Sequence, residues 1–431
     1  MRTLHETAVD ELHRQAGGLL GAGHRLALVA AHHDEDHVRV VYLFVAGRPD
    51  SRTELHVCLD PVKPEIPSLA DVSFPAGRFE REMRDLHGVV PLDHPLPHRL
   101  VRHFHWPKGW YPMRPDAGAP PPFAEQEGPY PFLEVEGDGV YEIPVGHALA
   151  YCLAVEEATG THVPAAARRA RALLLELERL HNHVADLGML CNDVGHGILN
   201  AHAQRVREQL LRLDAEVTGH RLLRGGVVPG GAVLRALPDT ARLTAIGRDI
   251  REIAGLALAH STVRDRFTGT AVLTADAARD LGCLGYVARA SGLSGTDARV
   301  AHPFAAYDTE VSVPVRDGGD VPARFLVSAE ESDVSLALVE HLAEDLGPGT
   351  WGGPPAPGQA GGSGVGTVEG WRGTITTRVE LGPDGRLARV KPVDPSFYNW
   401  PALPLALADT IVPDFPLTNK SFNLSYAGND L

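Results

Sequence analysis

The sequence predicts an α+β protein in which an N-terminal α/β module precedes a mainly helical domain. Near the N-terminus, the segments 25–31, 38–46 and 53–59 are rich in β-branched and aromatic residues and indicate strands. Beyond residue 147, apolar residues recur at three- and four-residue steps, which is typical of amphipathic helices. A proline-rich stretch, 116–131, separates the two patterns, and we expect it to be an extended linker.

Length and composition are those of a globular protein with two domains. The 431 residues are enough for two cores, which we expect over 1–115 and 132–431. The apolar content of 44% and the charged content of 22% are ordinary. We find no run of about 18 apolar residues and therefore expect no transmembrane segment. Because the N-terminus lacks the pattern of a signal peptide, we place the chain in the cytoplasm.

Charge and cysteine usage exclude some classes of partner. The formal net charge is −15 and no basic stripe occurs, so we expect neither nucleic acid nor direct attraction to anionic lipid. The cysteines show no Cys-x-x-Cys spacing, which indicates reduced and mostly buried thiols. They are Cys58, Cys152, Cys191 and Cys283.

The N-terminal module contains two predicted helices besides its strands. We expect a short helix over 3–16 and a charged helix over 67–89 that ends at His87 and Gly88. Residues 32–37, with three histidines and three acidic residues, lie between two predicted strands. This cluster is either a metal site or a solvated hairpin tip. We favour the tip because the spacing suggests no fixed ligand geometry.

A helical hairpin dominates the second domain. Its first helix is predicted over 148–158, with a stop at Gly160, and its second begins at Pro164. The second helix carries an apolar stripe of Leu173, Leu174, Leu177, Leu180, Val184 and Leu187. Opposite the stripe lie Glu176, Arg179, His183 and Asp186. After Gly188 the helical period stops, and we expect an acidic turn that contains Asp193.

Three polar residues of the hairpin leave alternatives open. Glu178 and His181 form a Glu-x-x-His step that can ligate metal in a helical bundle, but a di-iron site needs two copies and the chain has one. We therefore favour a structural Glu178–His181 pair. Asp193 is either a helix cap, the commoner case, or a proton-handling group.

The rest of the chain is predicted to be helical until a final hairpin. Helices are expected over 200–218, 243–257, 276–289 and 332–345. The glycine-rich turn 221–231, with Arg221 and Arg224, lacks the ending of a phosphate loop, so we expect close packing around an inward arginine. A low-complexity loop is expected over 347–366, and strands over 374–381 and 386–391.

Four polar residues lie close together in a segment expected to be irregular. They are Arg289, Asp297, Arg299 and His302. Buried charges require partners, so internal ion pairs are favoured over catalysis here.

Several of these segments resemble one protein family. The tract HALAYCLAVEEATGTHVPAAARRARALLLELERLHNHVADLG, the Asp193-Val194-Gly195 turn and the segments 288–308 and 369–409 resemble the large subunit of formate hydrogenlyase-type [NiFe] hydrogenases. They are also similar to the quinone-site, 49 kDa-type subunit of complex I. Residues 67–114 resemble the 30 kDa-type subunit of complex I, which implies a scaffold role for the first module.

The resemblance also implies that part of the family's domain is missing. In the family a long segment follows the strand that matches 141–146, but here Gly146 is joined directly to His147. Both Cys-x-x-Cys pairs that hold nickel in the hydrogenases are absent, so no four-cysteine nickel site is expected. The aromatic C-terminal tail is expected to dock onto this protein or a partner.

The resemblance implies a subunit of a membrane-associated complex I-like or hydrogenase-like oxidoreductase complex, linked to NADH and quinone or to formate and hydrogen. Its partners would be an iron–sulfur subunit, contacted through 147–195, and membrane subunits on the inner face of the cell membrane. His183 and Asp193 are the candidates for a quinone or proton path, and Arg372 matches an arginine near the family's active site. The alternative is a non-catalytic assembly or regulatory subunit that has lost both sites.

Overall fold

The computed structural model describes residues 2–102, 106–107, 109–119, 144–305, 307, 310–344, 346–353 and 361–429. Within these ranges the chain forms two compact units, one before residue 141 and one after it. Most of the predicted linker, and residues 141–143 of the predicted strand before Gly146, lie outside the described residues. No described helix is both long and apolar enough to span a bilayer.

The first unit is built on a four-stranded sheet. Its elements are β1 (Arg2–Glu6), a 3-10 turn (Val9–Glu11), α1 (Leu12–Gly21), β2 (Arg25–His33), β3 (Val38–Ala46), β4 (Ser51–Leu59), β5 (Glu65–Pro67), α2 (Phe74–His87) and β6 (Val90–Leu92). The strand order is β1-β4-β3-β2, in which β1 and β4 are parallel and the other pairs are antiparallel. The three predicted strands are therefore confirmed.

Two predictions in this unit need correction. The helix expected over 3–16 is wrong at its start, because residues 2–6 pair with the free edge of β4 and the α-helix begins at Leu12. The helix expected over 67–89 begins only at Phe74, after the N-cap residue Ser73, whose hydroxyl accepts the N–H of Ala76. It ends as predicted at Gly88, which has a φ of 76°.

The 32–37 cluster lies where the sequence predicts it, at the end of the β2–β3 hairpin. Asp34 accepts a hydrogen bond from the Arg39 Nε at 2.8 Å, and His37 lies 2.6 Å from Asp36. Among the described residues no group of His, Cys, Asp or Glu has the arrangement needed to hold a metal ion. The contacts within the cluster are those of an ion-paired hairpin tip.

The second unit combines a helical core with two small sheets. Its first part contains α3 (Pro144–Thr159), α4 (Ala165–Asp193), α5 (Gly197–Thr218), β7 (Val227–Val228), β8 (Gly231–Leu234), α6 (Thr240–Ala259), α7 (Ser261–Phe267), α8 (Ala275–Asp280), α9 (Gly285–Ala290) and α10 (Ala298–Ala301). Its second part contains α11 (Val321–Ala343), β9 (Gly349–Gly352), β10 (Ser363–Gly370), β11 (Gly373–Leu381), β12 (Leu387–Val393), α12 (Pro395–Asn399), α13 (Ala402–Ala406), a 3-10 turn (Val412–Asp414), α14 (Phe415–Phe422) and α15 (Tyr426–Asn429).

Helix α4 is the central element, and it is longer than predicted. It continues through Gly188 to Asp193, so the expected loss of helical structure after Gly188 is wrong. A Cβ on Gly188 would lie 2.5 Å from the Cβ of Ala203 on α5. The glycine therefore permits close packing of α4 against α5 rather than ending the helix.

Other boundaries also differ from the prediction. Residues 144–146 are the first turn of α3, not a strand. The predicted helix over 276–289 is two short helices, and α11 begins about three turns before residue 332. The loop expected over 347–366 contains β9 and the start of β10. The final hairpin is confirmed as β11 and β12.

The glycine-rich turn does hold an arginine, but that arginine comes from α4. Arg171 donates from Nε to the carbonyl of Gly231 at 2.9 Å and from Nη2 to the carbonyl of Val228 at 2.7 Å. Arg221 instead lies at the surface, where it pairs with Glu208. An arginine does point into this turn, as predicted, but it is Arg171 rather than Arg221.

Helix α3 packs directly on β10 through glycines. A Cβ on Gly366 would lie 1.9 Å from the carbonyl oxygen of Ala150, and one on Gly364 would lie 2.0 Å from that of Ala154. The backbones of helix and strand are therefore too close for any side chain at these two positions. This close approach joins α3 to the β10-β11-β12 sheet.

Replacing Gly366 with Ala should thus separate α3 from the sheet. Because the clash is with backbone atoms, we expect the free energy of unfolding to fall by about 3 kcal/mol or more. Urea denaturation followed by circular dichroism measures it. The matched control is Gly255→Ala on α6, where no atom lies within 4 Å of the added Cβ. This variant should gain about 0.5 to 1 kcal/mol, and equal stability of the two variants would contradict the packing argument.

Candidate functional site

The middle of α4 carries charged residues through the interior of the second unit. Glu176, Arg179 and His183 recur at three- and four-residue steps and therefore lie on one face of the helix. All three are completely buried. The apolar stripe on the opposite face of the helix is buried as well. A helix that is buried on both faces needs a partner for each of these polar groups.

Glu176 is the first centre of this network. Its Oε2 accepts hydrogen bonds from Arg179 at 3.1 Å, from Arg299 at 3.1 Å and from the hydroxyl of Ser335 at 2.6 Å. Burial alone would raise the pKa of Glu176, but Arg299 and Arg179 hold it below its ordinary value. Arg299 also binds Asp297, with 2.7 Å between Nη2 and Oδ2.

Arg289 is the second centre, and it joins two carboxylates from separate elements. Its Nη2 lies 2.5 Å from Oε1 of Glu331 on α11, and its Nη1 lies 2.8 Å from Oε1 of Glu369 on β10. Glu369 also accepts the backbone N–H of Ala298 at 3.0 Å and the hydroxyl of Thr374 at 2.8 Å. The network therefore joins helices α4, α9, α10 and α11 to strand β10, although the segment of Arg289 and Arg299 was expected to be irregular.

The network contains one more carboxylate than it has arginines. Its carboxylates are Glu176, Asp297, Glu331 and Glu369, and its arginines are Arg179, Arg289 and Arg299. Burial opposes ionisation of Asp297, but Arg299 and Arg289 lower its pKa to about 2. Burial and the nearby Asp297 instead raise the pKa of Glu369. Glu369 is thus the one carboxylate of this network whose pKa is raised rather than lowered.

His183 completes the network and has no exposure to solvent. Its Nε2 lies 2.8 Å from Oε2 of Glu331, and its ring contacts the edges of Tyr286 and Trp371 at centroid distances of 6.2 and 6.1 Å. Burial lowers the pKa of His183 despite the bond to Glu331. The ring is therefore neutral at pH 7, with Nε2 donating to Glu331.

Arg372 contacts Trp371, the tryptophan that His183 also contacts. Its guanidinium stacks on the Trp371 ring at 4.0 Å, and its Nε donates to the carbonyl of Asn423. Burial opposes ionisation of Asp394, but a hydrogen bond from His147 at 3.0 Å and the charge of Arg372 hold its pKa below the ordinary value. The structure thus brings Arg372 and His183 to the same tryptophan.

Asp193 lies apart from these two residues, at the C-terminal end of α4. Ten residues of helix separate it from His183, a distance of about 15 Å. It is partly exposed, and burial raises its pKa although Lys420 opposes the shift. Asp193 is the last residue of α4, whereas the N-cap residue of α5 is His196, which makes no side-chain cap hydrogen bond. The interpretation of Asp193 as a helix cap is therefore wrong.

The Glu-x-x-His residues do not bind each other. Glu178 accepts the backbone N–H groups of Val145 and Gly146 at 2.7 and 3.0 Å, whereas His181 lies 2.8 Å from Asp214 on α5. Both residues have structural roles, as expected, but the predicted pair is wrong. Glu178 instead caps the N-terminus of α3, where unpaired N–H groups attract a carboxylate.

The C-terminal tail docks onto this protein, as the sequence suggests. Leu417 and Phe422 are buried, and the Tyr286 hydroxyl donates to the carbonyls of Ser421 and Phe422 at 3.1 and 2.6 Å. Arg324 donates to the Ser421 hydroxyl at 3.0 Å. The ion pairs expected among Arg289, Asp297 and Arg299 are also confirmed.

The cysteines do not fit a nickel–iron centre. Burial raises the pKa of Cys152, Cys191 and Cys283 to about 12, so these thiols are protonated at neutral pH. Cys58 belongs to the first unit. A thiolate centre needs ligands that converge on one point, and the described residues contain no such group.

Glu331, Glu369 and Ser335 are members of the network that sequence reasoning missed. Glu369 had a detectable signal, because it is the single charged residue in the apolar and glycine-rich run of β10. Glu331 has none, since it stands beside Glu330 in a helix whose exposed and buried acids look alike in sequence.

Comparison with known proteins finds relatives for both units. Residues 5–122 match the family model of the 30 kDa subunit of respiratory-chain NADH dehydrogenase, and residues 193–354 match that of the 49 kDa subunit. Formate hydrogenlyase subunit 5 of Escherichia coli is 27% identical over 87% of this chain and 79% of its own length. That alignment spans 456 positions, more than this chain contains, so it includes gaps in this chain.

Two further relatives extend the comparison. NADH-quinone oxidoreductase subunit 4 of Thermus thermophilus is 35% identical over 47% of this chain and 51% of its own length. A chain of a membrane-bound sulfane sulfur reductase, described as an archaeal respiratory membrane complex, has the same fold with a TM-score of 0.60. It is 22% identical, and the match covers 68% of this chain and 83% of that one. The resemblance predicted from the sequence is confirmed.

The network itself can be tested through Glu331. Replacing Glu331 with Gln removes the negative charge that Arg289 and His183 bind, so a buried guanidinium loses a partner. We expect the free energy of unfolding to fall by about 3 to 5 kcal/mol. The control is Glu330→Gln, whose partner Arg316 is at the surface, and about 0 to 1 kcal/mol is expected there. Similar losses in urea denaturation of both variants would contradict a buried network.

Glu178 should give stability a distinct pH dependence. Burial raises its pKa from the ordinary 4.5 to about 7, so the folded chain keeps a proton that the unfolded chain releases in this window. That stabilisation is complete below about pH 4.5 and lost as the pH rises through about 7, and its size is about 3 kcal/mol. The decline in unfolding free energy between about pH 5 and 8 should therefore be smaller in Glu178→Gln. Glu252→Gln, at an exposed position of α6, should keep the wild-type slope.

Proposed function

We propose that this chain is a subunit of a membrane-associated complex I-like or hydrogenase-like oxidoreductase complex, in which it supports electron transfer next to an iron–sulfur subunit. The observation that carries the proposal is the order of its two regions, one similar to the 30 kDa subunit and the next to the 49 kDa subunit of respiratory NADH dehydrogenase. Relatives that cover most of this chain are hydrogenase components. We place it on the cytoplasmic face, held to the membrane by partner subunits.

The geometry supports different roles for the three predicted residues. A quinone head group needs hydrogen-bond donors and a proton source that it can reach, and Asp193 is the one of the three that is partly exposed. Its raised pKa brings proton uptake closer to neutral pH, and Lys420 is near enough to offset part of the shift. We assign Asp193 to proton exchange with a bound quinone.

His183 and Arg372 are buried and serve to position other groups. His183 holds Glu331, and Arg372 holds the C-terminal tail and Asp394. Among the described residues both side chains are almost completely buried. We assign these two residues to maintenance of the fold around Trp371.

A non-catalytic assembly subunit is the second candidate, and one observation favours it. The chain has a buried ion-pair network that holds its second unit together but lacks every Cys-x-x-Cys pair. Such a chain retains its packing surfaces and loses the metal chemistry. The two candidates differ in whether the assembled complex depends on Asp193.

Affinity purification from the native host tests the proposal, with Asp193→Asn and the exposed control Asp265→Asn expressed in parallel. We expect iron–sulfur and membrane subunits to co-purify with all three chains. Quinone reduction should fall about 100-fold in Asp193→Asn because it loses a proton-exchanging group, and remain unchanged in the control. Partners with unchanged activity in Asp193→Asn would favour the assembly role. A chain that purifies alone would contradict both candidates.

A further inference from the structure

A basic cleft in the first unit is not explained by the proposed function. It is lined by Arg84, His98, Arg99, Arg102 and Tyr111, together with the carboxylate of Asp85, and its volume is about 620 Å³. Cavities of this size accommodate small-molecule ligands. The accumulation of positive charge is unexpected because the chain as a whole has a formal net charge of −15.

Helix α2 fixes the segment that carries the outer arginines. Arg81 donates to the carbonyls of His98 and Arg99, both at 2.7 Å, and Arg84 donates to the carbonyl of Pro97 at 2.7 Å. These three bonds hold the backbone of residues 97–99 against the last two turns of the helix. The cleft is therefore preorganised rather than a chance arrangement of flexible side chains.

Asp85 also holds this segment, because its carboxylate binds the backbone of the residues that follow Arg99. Its Oδ2 accepts the backbone N–H groups of Leu100, Val101 and Arg102 at 2.6, 3.1 and 3.2 Å. A carboxylate oxygen with three donors has little capacity left for a guanidinium. The other oxygen of Asp85, Oδ1, lies 3.4 Å from Nη2 of Arg84. Asp85 thus orders the segment and pairs with Arg84, and no described ion pair joins it to Arg99 or Arg102.

Arg99 and Arg102 are left with charges that their neighbours do not neutralise. Within the described ranges neither guanidinium has an ion pair or a hydrogen bond, whereas Arg84 is partly occupied by the Pro97 carbonyl. Like charges that converge on one cleft repel each other, and an anion bound between them removes that cost. A solvated pair of arginines would not require a segment so firmly fixed by α2.

We propose that this cleft binds a phosphate-type oxyanion through Arg99 and Arg102, with Arg84 and His98 beside them. A carboxylate presents two oxygens in a plane and is satisfied by one guanidinium fork. A phosphate group presents three oxygens and accepts from several forks at once, which matches arginines from two directions. The phosphate belongs to a soluble phosphate compound or to a lipid head group, two sources with the same chemistry.

Calorimetric titration of the full chain with pyrophosphate at low ionic strength tests this assignment. We expect binding to be at least about 10-fold weaker in the double variant Arg99→Gln/Arg102→Gln than in wild type. The control Lys63→Gln removes an exposed charge of the same unit that is paired with Glu65, and it should bind like wild type. Matching circular dichroism melting curves verify that the double variant is folded.

The double variant Arg99→Lys/Arg102→Lys tests whether binding needs the planar guanidinium donors or only positive charge, because lysine keeps the charge and lacks those donors. We expect its affinity to lie between those of wild type and the glutamine variant. Flotation with phosphatidylglycerol vesicles, compared with phosphatidylcholine, then identifies the source of the phosphate. Flotation that requires Arg99 and Arg102 assigns the site to a lipid head group, and pyrophosphate binding without flotation assigns it to a soluble compound.

Three results would overturn the proposal. The first is no pyrophosphate binding and no flotation by wild type. The second is binding of equal strength in wild type and the glutamine variant. The third is binding of a hexaglutamate peptide in place of pyrophosphate, which would identify the cleft as a contact for an acidic protein partner. None of these readouts depends on the activity of the complex, so failure here leaves the proposed function standing.

Discussion

The second unit depends on the burial of three arginines that cannot lose their charge. Arg179, Arg289 and Arg299 are almost completely inaccessible to solvent, and an unpaired guanidinium in such a place would cost several kcal/mol. The fold must therefore bring carboxylates from distant segments to them. Glu176 comes from α4, Glu331 from α11 and Glu369 from β10. The arginines are therefore neutralised only when these helices and this strand pack together.

This constraint explains which parts of the fold could be predicted from sequence. Helix α5 and the β2–β3 hairpin follow from local periodicity and turn residues, and both agree with the prediction. Strand β10 escapes prediction because its glycines signal a loop, whereas they are there to admit the backbone of α3. Gly188 falsely indicates the end of α4 for a similar reason. A glycine required by close packing cannot be distinguished from a glycine that ends an element without knowledge of its neighbour.

In the candidate site, too, some features could be predicted from the sequence and others could not. The cluster Arg289, Asp297 and Arg299 was recognisable because buried charges need partners. Arg299 pairs with Asp297 within the cluster, but the short contacts of Arg289 are to distant carboxylates. The partner of His183 was not recognisable, because Glu331 lies 148 residues away. Likewise, Glu178 and His181 were expected to bind each other by their spacing, but each found a stronger partner on another helix. Spacing on one helix predicts which face a residue occupies and leaves its tertiary partner open.

The excess carboxylate gives the network a property beyond structural support. With four acids and three arginines in a buried interior, one proton or one protonated histidine would make the group neutral. His183 is an unfavourable site because burial lowers its pKa, and Glu369 is favourable because burial and Asp297 raise its pKa. Glu331 stays ionised to bind Arg289, because its pKa is held well below the ordinary value, and His183 stays neutral with its Nε2–H directed at Glu331. Because each of these groups is bound by partners from other elements, the network favours a stable scaffold around Trp371. We propose that proton exchange with solvent instead involves partly exposed residues such as Asp193.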